Sequence, residues 1–71
     1  MIKLLQMLKW MRSHGFSFDQ MHGELLDVVD NHHSDYFELT EADCESVTRI
    51  FYDDDKLYAA LDLCGYGMED L

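Results

Sequence analysis

The chain of 71 residues predicts an all-α fold, a small bundle of four short helices packed as a single acidic domain over residues 1–71. Three observations lead there. Apolar residues recur at the 3.6-residue period of a helix in four stretches. Start and stop signals separate those stretches: Ser17 with Gln20, Thr40 with Asp43, and the glycines Gly15 and Gly65. The composition has no proline, four glycines and 48% hydrophobic residues, which suits a folded helical domain and excludes a disordered chain. A chain this short buries only about 60% of its unfolded surface, so modest stability is expected.

The first helix is expected over residues 2–14. Met1, Leu4, Leu5, Leu8 and Met11 form one apolar stripe, and Ile2, Met7 and Trp10 carry apolar surface around most of the cylinder. Only Lys3, Gln6, Lys9, Arg12 and Ser13 interrupt it. Such a helix needs cover on several sides, and three other short helices cannot easily enclose it. Residues 1–14 are therefore a candidate surface for a homodimer or a partner. Gly15 suits the left-handed position just past the helix end.

The second helix, 18–30, has the best local start signal. Ser17 caps it, Gln20 completes the capping box, and Phe16 before the cap can staple to Met21. Phe18, Met21, Leu25, Val28 and Val29 face inward, with His22 and Leu26 alongside, while Gln20, Glu24, Asp27 and Asn31 form the outer face. Residues 31–34 read as a connection. Asp35 to Leu39 reads either as a turn of helix or as an extended link whose aromatics plug the core.

Thr40 caps the third helix, 41–52, with Asp43 in the looser capping box and Glu41 and Asp43 at the positive end of the helix dipole. Cys44, Val47, Ile50 and Phe51 recur at helical spacing, and so do Leu57, Tyr58, Leu61 and Cys64. On one continuous helix both sets would share an arc of roughly 160°. Asp54 would then sit in the middle of that arc, where an unpaired carboxylate is costly. A break at Asp53–Asp55 is preferred, with Asp54 or Asp55 capping a fourth helix, 55–64, that Gly65 closes. The tail from Tyr66 to Leu71 has no periodicity and is expected to fray. The expected core is Leu4, Leu8, Met11, Phe18, Met21, Leu25, Val29, Val47, Phe51, Leu57 and Leu61.

Charge is the most unusual property. Fifteen acids oppose five bases, a formal net charge of −10. Lys3, Lys9 and Arg12 all precede the first acid, Asp19, so two bases face all fifteen acids after residue 12. Repulsion of that size works against compaction of a small domain. Solubility alone is one account of the charge; a basic partner is the other.

Several kinds of chemistry are set aside on residue grounds. His32-His33 is an adjacent pair without metal-ligand spacing, and no metal or other cofactor is expected. Asp53-Asp54-Asp55 fails as a calcium loop, since Tyr58 and Cys64 stand where glycine and glutamate are required. Cys44 and Cys64 lie on apolar faces, as buried thiols of a reducing compartment, and no nucleophile or phosphate-loop motif is present. An enzyme is not expected. Direct nucleic-acid binding is opposed by the charge, and so is contact with an anionic membrane. No signal peptide and no membrane span are read, so the cytoplasm is the expected compartment.

The remaining reading is a non-enzymatic inhibitor that occupies the basic nucleic-acid site of a larger, nucleic-acid-handling protein. Carboxylates at i, i+3 or i+4 on a helix stand about 5–6 Å apart and can imitate a phosphate backbone. The candidate contact residues are Glu24, Asp27, Glu41, Glu45, Asp53, Asp54 and Asp55, with Tyr52 as an anchor beside the aspartate run. Arg49 can pair with Glu45. Phage-encoded antagonists of host defence, anti-CRISPR and antirestriction proteins, are similar in size and charge only; no motif carries the likeness. The alternative is a helical adaptor or assembly subunit that binds through its apolar first helix.

Overall fold

The computed structural model describes residues 2–66. Four helices follow in order: α1 Ile2–Ser13, α2 Phe18–Asn31, α3 Glu41–Phe51 and α4 Asp54–Leu63. The bundle is all-α, as the periodicity predicts. α3 is central: it packs on α2, α4 and α1, and α1 also packs on α4.

Local signals set most boundaries. Ser17 Oγ accepts from the Gln20 amide, and the Gln20 side chain accepts from the Ser17 amide. Thr40 and Asp43 make the same reciprocal pair at 3.1 Å each. Both ends satisfy amides that a helix start would otherwise leave unpaired. The chain does break between α3 and α4, but the cap is Asp53, one residue earlier than expected. Asp53 is extended and accepts from the Lys56 amide, which leaves Asp54 and Asp55 in the first helical turn. There the helix dipole favours their charge.

The ends of α1 and α4 share one construction. Gly15 (φ 78°) and Gly65 (φ 88°) take the left-handed conformation that only glycine adopts cheaply. At each end the following residue reaches back: the Phe16 amide donates to the Met11 carbonyl, and the Tyr66 amide to the Leu61 carbonyl. Each glycine thereby turns an aromatic ring back onto its own helix.

Tyr66 corrects the expectation of a frayed tail. It is buried, its hydroxyl donates to the Phe16 carbonyl at 2.9 Å, and the Arg12 guanidinium lies 5.3 Å from its ring centre. The ends of α1 and α4 are thus tied to each other. The rest of that tail, residues 67–71, lies outside the described residues.

The first helix is also better covered than expected. Leu4, Met7, Leu8 and Met11 are each 1% exposed or less, and Leu5 and Trp10 are half-buried. The extra cover comes from outside the helices. Ser34 Oγ accepts from the amides of Tyr36 and Phe37 and turns the α2–α3 link back over the bundle. Phe37 meets the Trp10 ring edge-on at 5.2 Å, Tyr36 lies 5.6 Å from it, and Phe16 closes the group at 5.8 Å. The link is irregular, with aromatics against the core, the second of the two forms expected. Of the expected core, Phe18, Phe51 and Leu57 are only half-buried, while Met7, Val28, Cys44, Ile50, Ala60, Cys64 and Tyr66 join it.

Three substitutions test these ends. Tyr66→Phe should cost about 1 kcal/mol, the net worth of one hydrogen bond. Asp53→Ala should cost about 1 kcal/mol as a lost cap, while Asp54→Ala should stay within a few tenths. Urea unfolding followed by circular dichroism reads all three. Equal losses at Asp53 and Asp54 would place the helix start elsewhere.

Candidate functional site

The expected acidic contact residues are carried by α2, α3 and the α3–α4 corner. They fall into three groups set by three different elements.

Glu24 and Asp27 belong to a face of α2 that is half-buried rather than outermost. The α2–α3 link folds over it and adds Asp35. One carboxylate oxygen from each of Glu24, Asp27 and Asp35 lies within 4.8 Å of the others. Glu24 Oε2 is buried and has no hydrogen-bond partner. Burial is the main reason that the Glu24 carboxyl holds its proton above the ordinary value; Asp27 and Asp35 add to this, and His33 opposes it. Phe16 and Tyr36 share a depression with Glu24 and Asp27. Three oxygens are a partial set for calcium, which takes 6–8.

Glu41 and Glu45 belong to the exposed side of α3. Glu41 lies 3.0 Å from His32 Nδ1, and His32 is the left-handed residue that ends α2 (φ 52°). His33 lies 3.1 Å from Asp35. Each histidine thus faces one acid in solvent, where such a pair is worth little. Arg49 and Glu45 line a shallow depression with His32 and Thr48, and no ion pair joins them among the described residues.

The third group surrounds the α3–α4 corner. Asp54 and Asp55 are exposed, while Asp53 is half-buried and engaged as the cap. Tyr52 is 70% exposed and Tyr58 55%, so the aspartates stand between two accessible rings. Leu63 is also exposed further along α4. Tyr52 meets Phe51 edge-on at 5.4 Å, and Phe51 lies 5.6 Å from the His22 ring of α2. The Phe51–His22 pairing, between α3 and α2, is not readable from sequence spacing.

No acid from Asp19 to Asp62 is bridged by a lysine or arginine among the described residues. The thiols of Cys44 and Cys64 are free and buried. Burial pushes both above the ordinary thiol range; Glu41 and Asp43 add to this at Cys44, and Lys9 opposes it at Cys64. Thiols so placed are poor nucleophiles. Among the described residues no helix is long and apolar enough to cross a membrane.

No protein-family model matches the chain, and neither does any curated protein or solved structure.

The Glu24 proton has a consequence for stability. The folded chain holds it more tightly than the unfolded chain, so this contribution is full below pH 4.5 and is lost as pH rises through the raised folded value. Glu24→Gln imitates the protonated form. It should match the parent near pH 4 and melt higher than the parent at pH 7, by scanning calorimetry. An equal difference at both pH values would remove Glu24 titration as the cause.

Proposed function

We propose that this protein is a non-enzymatic inhibitor that binds the basic nucleic-acid site of a larger protein and blocks it. The observation that carries the reading is the unneutralised acidic surface: a chain of net charge −10 whose described acids are all at least partly exposed, none of them bridged by lysine or arginine. Acids without a lysine or arginine partner cost stability through repulsion, and they steer a basic partner toward the chain.

The contact surface is narrower than the acids alone suggest. Asp54 and Asp55 lie between exposed Tyr52 and Tyr58, which joins steering charge to aromatic anchors. Asp53, engaged as a cap, and the half-buried Glu24 and Asp27 are less available. The described part of α1 offers a partner little apolar surface, since its large side chains turn into the core. Buried thiols with raised pKa fit a role without catalysis.

The test is capture from host lysate on the immobilised chain, followed by competition with duplex DNA or RNA. A nucleic-acid-handling protein that is retained at low salt and released both by high salt and by the oligonucleotide is the expected outcome. Asp54→Asn with Asp55→Asn should slow its association by about tenfold with little change in folding. Retention that resists both salt and oligonucleotide would overturn the reading.

A further inference from the structure

α2 and α4 both pack on α3, and between them runs an apolar groove of about 230 Å³. Phe18, Met21 and Leu25 line it from α2; Leu57, Tyr58 and Leu61 line it from α4. We infer that this groove docks an amphipathic basic helix of a partner protein, with an apolar side chain in the slot and lysines or arginines on its rim. This rests on the reading above that the partner is basic, and it adds where and by what shape that partner binds.

The volume argues for a side-chain anchor. Pockets that enclose small molecules run about 300–1,000 Å³, larger than this groove. The lips are accessible: Tyr58 on α4 and His22 on α2 are both exposed. Apolar side chains spaced along one face of a helix fill such a slot.

Charge selects the occupant. On α4, Asp54 and Asp62 stand four residues either side of Tyr58, on its face of the helix. Both acids are exposed. The bases lie elsewhere. Arg49 and Lys56 line a separate depression with Ser46 and Ile50, Arg12 lies over Tyr66, and Lys3 and Lys9 are on α1, which contributes nothing to the groove. An apolar slot with an acidic rim repels a second copy of this chain and an anionic membrane, and it attracts a cationic helix.

Ring contacts lead from the groove toward the aspartate corner. The His22 ring lies 6.3 Å from Phe18 in the groove and 5.6 Å from Phe51, which meets exposed Tyr52. One helix lying along the groove can therefore reach Asp54 with its basic residues.

The test is an NMR titration of the whole labelled chain with a synthetic peptide of about eighteen leucines and lysines patterned as an amphipathic helix. The same composition in scrambled order is the control. The expected result is that shifts gather at Phe18, His22, Leu25, Leu57, Tyr58 and Leu61, that the scrambled peptide binds at least tenfold more weakly, and that Tyr58→Ala with His22→Ala weakens the patterned peptide by at least tenfold. These side chains are exposed, so the fold should persist, and the amide spectrum reports it. Equal affinity for both peptides, shifts confined to the acids, no binding at all, or self-association through the groove would each overturn the inference. The two readings fail separately. Groove binding without displacement by oligonucleotide would remove nucleic-acid mimicry alone. Displacement of the captured partner by oligonucleotide, with the Tyr58 and His22 variant unaffected, would remove the groove alone.

Discussion

The arrangement depends on the indole of Trp10. It sits near the end of α1 and receives Phe16 from the α1–α2 corner, Phe37 and Tyr36 from the α2–α3 link, and the His14 ring stacked at 4.0 Å. Aromatic pairs at these distances add about 0.5–1.5 kcal/mol each beyond the area they bury. In a domain this small, with marginal total stability, such a cluster is a large share of what holds the link in place. It stands in for the missing helix that α1 would otherwise need on that side.

The electrostatic layout follows from that packing. With Tyr36 drawn onto Trp10, Asp35 comes beside Glu24 and Asp27, three carboxylates that repel one another. Burial first, and that repulsion second, raise the pKa of Glu24. The α3–α4 corner is arranged differently. There Asp53 turns inward to cap α4, and Asp54 and Asp55 stay in water between two tyrosines. The strongest concentration of free charge thus meets the most exposed aromatic surface.

α3 explains the groove. Because α2 and α4 each pack on α3, they lie on neighbouring sides of it with their own apolar edges half-covered. Phe18 and Leu57 are half-buried for this reason, though their spacing marks them as core residues. A surface of this kind is the usual form of a helix-binding site: apolar floor, aromatic lip, charged rim.

What the sequence by itself determined is what depends on neighbours within a turn or two. The four helices, both capping boxes, the two glycine ends and the all-α class rest on contacts three to five residues apart, and these are written in spacing. The break at the aspartates was legible for the same reason, although three consecutive acids left the capping residue ambiguous by one position. Tertiary structure alone decided the rest. Tyr66 reaches Phe16 across fifty positions, and Cys64 Sγ approaches the Leu5 carbonyl across almost sixty. Nothing local in the tail announces such contacts, so it reads as frayed. Glu24 and Asp27 of α2, outermost on an isolated helix, are half-buried because a link folds over them. Periodicity states which face of each helix is apolar; only the packing of one helix against another decides which acids share a surface and which apolar edges are left uncovered.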